Sequence, residues 1–577
     1  MSGSPEGFGR EVSMARNLMI QGTMSGAGKS ILTAGILRVL RQDGFRVAPF
    51  KSQNMALNSF VTRDGLEMGR AQAVQAAAAG IEPSSDMNPI LLKPMGDAVS
   101  EVIVNGRPIG KMRAADYYRV KKSLVPQILE AYHRLEEQAE IIVIEGAGSP
   151  VEINLREGDF VNMGLAQMVD APVLLAGNID PGGVFAQLLG TVQLMRPEER
   201  ERVKGLIINK FRGDVRLLEP GLSMFREYCD IPFAGIVPWL KLNLDEEDSL
   251  SDKLSGGGST ERFKTAQGGL HPADSTDAAR SVTIDIAVIR LPYMSNYTDF
   301  APLEQEEGVN LYYVSKISEM GMPDLILLPG TRNTIEDLRW LKKSGLARWI
   351  DRLAGYHRAR NAGLQSMPEE GEFPNAPLLM GICGGYQMLG KRILDPFSSE
   401  AGGAEEGLDL LPVETVFREE KLTKQSAGKT CLLAGAWTAL SDLPVSGYEI
   451  HMGETVYLGD PDGDRIRQDG LPVGSAFANL GGPDGAVSGS VLGTYLHGIF
   501  DEPAFRKALI ALLRDRKGTA VLQKNAGLFW SAVNSDNIAA GKNPQSARQM
   551  QDRQLDILAN VLREYLDWKL IYKAIGI

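Results

Sequence analysis

Cysteine and histidine are scarce in this 577-residue chain, with three of the first (Cys229, Cys383, Cys431) and five of the second. Three widely spaced cysteines without a C-x-x-C pair exclude a disulfide scaffold and a zinc ribbon, and point to a reducing cytoplasm. No two histidines share an H-x-x-x-H spacing, so helical zinc chemistry is excluded as well. Long apolar runs are also missing. Stretches such as Ile141–Ile144 and Pro172–Ala176 fall far short of the ~20 residues that span a bilayer, so no membrane partner is expected. The opening MSGSPEGFGREVSMAR has no apolar core of a signal peptide and reads as a flexible extension over residues 1–15. A basic excess is lacking too. With 61 basic against 72 acidic residues the net charge is −11, which argues against nucleic acid and for small-molecule work.

What the chain does have is a globular balance, 44% hydrophobic and 23% charged, enough for two or three domains at ~150 residues each. Glycine stands at 63 of 577, about 11% against a usual ~7%, in keeping with many tight turns near ligands. Short apolar runs alternate with longer amphipathic stretches: Leu18–Gln21, Arg46–Phe50, Ile141–Glu145, Pro172–Gly177 and Gly205–Asn209. Such runs predict buried parallel strands joined by crossover helices, an α/β fold. A polar stretch rich in Gly, Ser, Thr and Asp over 249–281 predicts a linker. Strand-like runs resume at Thr283–Leu291, Leu325–Pro329 and Leu378–Ile382, and the tail from about 545 has helical apolar spacing. The expected order is an extension (1–15), a nucleotide-using domain (16–248), the linker (249–281), a second α/β domain (282–508) and a helical segment (509–577).

The first strand runs into Gln21-Gly-Thr-Met-Ser-Gly-Ala-Gly-Lys-Ser30. Glycines let backbone N–H groups close around phosphate oxygens, and the following helix N-terminus adds a favourable dipole. Gly22, Thr23, Ser25, Gly26 and Gly28 form the turn; Lys29 would neutralise the transferring phosphate and Ser30 would ligate Mg²⁺. The form G-T-x-S-x-x-G-K-[ST] resembles the variant phosphate loop of dethiobiotin synthase and its ATP-dependent relatives. Glu145 ends another strand, where a nucleotide's metal needs an oxygen ligand. Asn209 also ends a strand, where similar enzymes place an amide that reads adenine. After the second strand, Lys51, Gln53, Asn54 and Asn58 crowd donors at one turn, which suits an anionic substrate. Asp64, Glu67 and Arg70 follow. Asp64 is a substrate candidate, and the spacing of Glu67 and Arg70 equally predicts a pair on one helical face.

In the second domain Gly381-Ile-Cys383-Gly-Gly385 breaks a strand with the layout of a nucleophile elbow. Helix-start geometry there favours a thiolate and supplies oxyanion N–H groups, Gly384 among them. A thiolate needs a base, and His497 in Gly493-Thr-Tyr-Leu-His497-Gly498 is preferred over His451, the other histidine at a Gly-flanked strand end.

GICGGYQMLG, GTYLHGIF and LPGTRNT resemble a class I glutamine amidotransferase domain of the cobyrinate-synthase type. The last of these motifs resembles the loop that gives a second oxyanion N–H, at Gly330. The usual H-x-E of that class is absent after His497, which leaves the group that orients the imidazole open. Together with MIQGTMSGAGKS, FKSQNMALNSFVTRDGLEMGRAQ, NPILLKP, IEGAGSPVEINL and GYEIHMG, these motifs make the chain from about residue 16 onward resemble the cobyric acid synthase family. Departures from its pattern are Ala56-Leu57, Glu101 and Arg332.

The resemblance implies a phosphate-loop NTPase-like domain, dethiobiotin-synthase-like, joined to a glutaminase domain. It also implies a cytoplasmic ligase that uses ATP, Mg²⁺ and glutamine to amidate carboxylates b, d, e and g of adenosylcobyrinic acid a,c-diamide, a corrinoid. Oligomeric state stays open. The alternatives are cobyrinic acid a,c-diamide synthase, another glutamine-dependent amidoligase such as a cell-wall isoglutamine-forming relative, or a partitioning-type switch ATPase that has no need of Cys383 or His497.

Overall fold

The structure, a computed structural model, describes residues 15–96, 99–242, 244, 283–352, 377–433, 435–458, 475–478, 484–525 and 547–577. The expected linker at 249–281 and all but the last residue of the expected extension lie outside them. The chain divides into two compact units that do not follow a single cut. One holds Met1–Ala56, Leu66–Asp248 and Gln551–Ile577; the other holds Leu57–Gly65 and Ser249–Met550. The tail therefore joins the first unit, while nine residues of the expected first domain join the second.

Among the described residues the first unit has a six-stranded parallel sheet. Its order is Phe233–Pro238, Val203–Phe211, Val173–Asn178, Arg16–Gly22, Ile141–Glu145, Val47–Phe50. Ile141–Glu145 and Val173–Asn178 are buried along their whole length, as strands covered on both faces must be. Register brings carboxyl ends together: Ile20 lies opposite Glu145, and Asn178 opposite Asn209. The tail helix Ala547–Tyr565 docks Leu555, Leu558 and Leu562, all fully buried, each contributing about 1.5–3 kcal/mol. It runs so close to helix Lys29–Gln42 that a Cβ on Gly35 would sit 2.3 Å from Leu562 Cδ1. Arg38 anchors it by ion pairs to Asp556 (2.8 Å) and Asp552 (3.1 Å). A smaller sheet orders Gln53–Met55, Ile90–Gly96, Val99–Val104 and Arg107–Arg113.

The second unit carries a larger sheet whose parallel half runs Val309–Val314, Ile284–Ile289, Leu325–Leu328, Leu378–Ile382, Val491–Thr494. It continues through antiparallel strands into a long hairpin, Val413–Thr430 with Pro444–Tyr457. Leu328 lies opposite Gly381, and Ile382 opposite Thr494. Three adjacent strands thus end at one edge, the place where open α/β sheets collect ligands. No helix among the described residues is long and apolar enough to cross a membrane.

Candidate functional sites

In the first unit the turn after Arg16–Gly22 is built from local conformation upward. Gly26 and Gly28 take positive φ (71° and 85°), a region open to glycine at little cost. A Cβ on Gly28 would also stand 2.2 Å from Asn209 Nδ2. Asn209 Nδ2 donates to Ala27 O (2.9 Å) and Asn178 Nδ2 to Gly26 O (3.2 Å), so two strand-end amides hold the loop's shape. Thr23 Oγ1 donates to Gln187 Oε1 (3.2 Å), while Ser25 is exposed on the crest. Lys29 Nζ curls back onto Met24 O (3.0 Å) and Gly148 O (3.2 Å).

Glu145 is the hub. Its Oε1 accepts from Ser30 Oγ (2.8 Å) and from Lys51 Nζ (2.9 Å), and its Oε2 accepts from Gln75 Nε2 (2.5 Å). Burial opposes its charge, yet Lys51, Gln75 and Ser30 together hold the carboxyl below its ordinary range. Glu145 and Ser30 are hard oxygen donors that suit Mg²⁺, an ion that takes few protein ligands and completes its shell with phosphate and water. No cluster of three or more acidic, His or Cys side chains able to hold a metal occurs among the described residues, so a bound ion would lean on the nucleotide.

The predicted substrate residues separate. Lys51 reaches Glu145; Gln53 Oε1 accepts from Tyr117 OH (2.5 Å); Asn54 Nδ2 donates to Gln72 Oε1 (2.8 Å). Asn58 and Asp64 belong to the other unit, Asn58 buried and Asp64 in an exposed turn. Glu67 does not share a helix with Arg70. Glu67 lies in the buried strand Glu67–Gly69, and its carboxylate pairs with Lys93. Period-three spacing suggested a helix there, but the helix begins only at Arg70. Lys93, in NPILLKP, had no readable role in the sequence. The signal was a lysine inside an apolar run, where burial demands a partner.

In the second unit Cys383 ends strand Leu378–Ile382 at φ 52°, ψ −111°, a strained backbone for a residue with a Cβ. Glycines make the turn possible: a Cβ on Gly385 would meet Leu328 O at 2.1 Å, and one on Gly384 would meet Thr331 Cγ2 at 2.5 Å. His497 follows the neighbouring strand, near enough to Cys383 for the sulfur to raise the imidazole pKa, while Cys383 Sγ lies 3.7 Å from Ile450 O. Gly330 lies against both, since its Cβ would be 2.9 Å from His497 Cε1 and 3.7 Å from Cys383 Cβ. The Gly330 loop is held by Ser295 N–H on Gly330 O (2.9 Å) and by Thr331 Oγ1 on the Asp337 carboxylate.

The group that orients the imidazole is Asp299. Its Oδ2 stands 2.7 Å from His497 Nδ1, and its Oδ1 accepts from Gly498 N–H (3.1 Å). Asp299 comes from a 3₁₀ turn, Tyr297–Phe300, 198 residues upstream of the histidine. Burial opposes the charged imidazolium, but Asp299 and the Cys383 sulfur outweigh it and push His497 up to about 10. Tyr448 stacks on the ring (5.2 Å, 19°). His451 does not share this position. It stacks on Tyr495 (3.7 Å) and faces Glu449 at 3.5 Å. A sulfur nucleophile, an imidazole and a buried carboxylate in series can perform acyl transfer.

Comparison with known proteins fits both units. Residues 18–249 match the CobQ/CobB/MinD/ParA nucleotide-binding domain, and residues 285–361 and 374–505 match the CobB/CobQ-like glutamine amidotransferase domain. A protein of Lachnoclostridium phytofermentans called cobyric acid synthase is 47% identical over 97% of this chain and 99% of its own length. Proteins of the same name from Ruminiclostridium cellulolyticum (46%, covering 97% of each chain) and Photorhabdus laumondii (44%, covering 97% of this chain and 98% of the relative) are similar throughout.

Proposed function

The chain belongs to the cobyric acid synthase family of glutamine-hydrolysing carbon–nitrogen ligases, and from that premise we propose that it amidates carboxylates b, d, e and g of adenosylcobyrinic acid a,c-diamide. Nitrogen comes from glutamine, and each carboxylate is first activated by ATP. The observation that carries the division of labour is the series Cys383–His497–Asp299 in one unit, alongside a phosphate loop with Lys29, Ser30 and Glu145 in the other.

In the amidotransferase unit the Cys383 sulfur attacks the side-chain amide carbon of glutamine while its proton moves to His497 Nε2. Asp299 fixes the ring through Nδ1 and stabilises the imidazolium. Main-chain N–H groups of Gly330 and Gly384 receive the oxyanion. The imidazolium returns its proton to the departing nitrogen, ammonia leaves, and water activated by His497 cleaves the thioester to glutamate.

In the nucleotide-binding unit a carboxylate oxygen of the corrinoid attacks the γ-phosphorus of ATP, giving an acyl phosphate and ADP. Ammonia then attacks the acyl carbon, and phosphate departs. Lys29 offsets the charge on the transferring group, and Asn209 is the amide we assign to reading adenine. Lys51, Gln53 and Asn54 are the donors we assign to the acceptor carboxylate. Ser30 and Glu145 would hold Mg²⁺, which would supply charge neutralisation on the phosphates. Adenosylcobyrinic acid a,c-diamide incubated with ATP, Mg²⁺ and glutamine should gain four successive amide mass shifts (each OH replaced by NH₂). No amidation of this diamide, with two amide shifts on the unamidated cobyrinic acid, would favour the a,c-diamide synthase reading instead.

A further inference from the structure

Leu57–Gly65 is grouped with the amidotransferase unit although the sequence on both sides of it belongs to the other. Within that unit it is tied down along its main chain. Arg332 donates to Leu57 O (3.0 Å), Tyr448 OH to Ser59 O (3.2 Å), and Gln425 to Val61 O. Ser59 and Val61 are fully buried, and Val61 packs with Tyr448 and Ile450. Ser59 also donates its main-chain N–H to Asn296 Oδ1 (3.1 Å). Asn296 is itself buried, with φ 51° and ψ 37°, a conformation asparagine and glycine tolerate better than other residues.

A carboxamide has one accepting end and one donating end. With Oδ1 committed to the Ser59 N–H, Asn296 turns its NH₂ toward His497 Nε2, 3.4 Å away. His497 Nδ1 is committed to Asp299, so Nε2 is the nitrogen left to take the thiol proton. A donor facing Nε2 favours its lone pair over an N–H. Asp299 and Asn296 therefore pull the imidazole in opposite senses, and the charged or titratable groups acting on it are Asp299 and Cys383, with Tyr448 on its face.

Resting on the glutaminase reading above, we infer that Asn296 is a positioning residue whose carboxamide, oriented by the Ser59 main chain, opposes Asp299 at His497 and eases release of the proton from Nε2. It thereby limits how far the resting thiol ionises. Nine residues of the N-terminal sequence are thus a working part of the glutaminase.

The test uses the full-length protein with Asn296→Gly, which tolerates the backbone, and Asn296→Asp, which keeps an acceptor for Ser59 but puts an acceptor at Nε2 as well. Two rates are read: alkylation of Cys383 by iodoacetamide at pH 7, followed by mass on its peptide, and glutaminase kcat and KM. One lost hydrogen bond corresponds to a change of about three- to tenfold. Alkylation should quicken by that factor in Asn296→Gly and by more in Asn296→Asp, while kcat falls and KM holds. Both rates unchanged, or both slowed together in protein that melts normally, would overturn the inference. A parent protein that hydrolyses no glutamine would instead overturn the glutaminase reading beneath it.

Discussion

Asp299→Asn removes the charge from the hydrogen bond to His497 Nδ1 while keeping the side chain's size. Both partners are buried, with side chains 1% and 3% exposed, so solvent screening offers little relief. Removing one member of such a pair costs about 3–5 kcal/mol. If about 3 kcal/mol of that is felt when the imidazolium forms, glutaminase kcat falls roughly a hundredfold. A coupled glutamate assay reads it directly, and ammonium-driven amidation should be untouched. The same substitution lowers the His497 pKa from its value of about 10, so Cys383 alkylation at pH 7 should slow, the reverse of the Asn296 variants. Stability should move with pH as well. A histidine raised from an ordinary ~6.5 to about 10 contributes stability that is fully present below ~6.5 and fades as pH climbs through about 10. The melting gap between parent and variant should therefore be widest near pH 6 and close toward pH 10. An Asp299→Asn protein that keeps more than half of the parent kcat would refute Asp299 as the orienting group.

Cys383→Ser should abolish glutaminase activity and leave amidation from free ammonium, whereas Lys29→Ala should abolish amidation from either nitrogen source; loss of both reactions in folded Cys383→Ser contradicts the two-site division. Gly330→Ala drives a methyl to 2.9 Å from His497 Cε1, so the ring must shift, and kcat should drop about ten- to a hundredfold with little change in melting. Glu400 keeps some surface exposure, yet burial of its carboxyl raises it to about 8 against the donors on Thr334. The folded protein therefore holds that proton where the unfolded chain has released it, and loses stability between about pH 4.5 and 8. Glu400→Gln should melt like the parent at pH 4 and above it at pH 9; a constant difference across that range would count against a titrating Glu400.

Most of the parallel strands were legible because each is a short apolar run bounded by turn residues, and Leu378–Ile382 coincides with its predicted limits, whereas Phe233–Pro238 and Val309–Val314 were not picked out. Strand Arg16–Gly22 and the phosphate loop were legible for the same reason, strengthened by Lys29 and Ser30 at fixed spacing. The hairpin Val413–Thr430 with Pro444–Tyr457 was not read as a hairpin, although His451 was placed at a strand end. Its solvent side is charged, with Glu419, Glu420 and Lys421 in sequence, which breaks the apolar run that marks a buried strand. Glu67 was assigned to a helical spacing because Glu67 and Arg70 are three apart, a separation that says nothing about where a helix begins. The transfer of Leu57–Gly65 to the second unit left no trace in composition, since it rests on main-chain hydrogen bonds that any sequence of suitable size could make.

The orienting acid was hidden for a reason that concerns topology more than chemistry. An H-x-E motif is readable because histidine and acid lie two residues apart on one strand end. Nδ1 of His497 requires only a carboxylate oxygen near 2.7 Å, and any loop at the same sheet edge can provide one. Parallel strands Ile284–Ile289, Leu325–Leu328, Leu378–Ile382 and Val491–Thr494 stand side by side, so their four following loops converge. They deliver Asp299, Gly330, Cys383 and His497 in that order. Each residue is thus the contribution of one strand-end loop, and the set could have been sought by listing polar residues after each predicted parallel strand. Spacing along the chain fails here because the sheet, not the sequence, sets the distances. The same geometry explains why Asn296, three residues before Asp299 on the same loop, reaches the other nitrogen of the same ring.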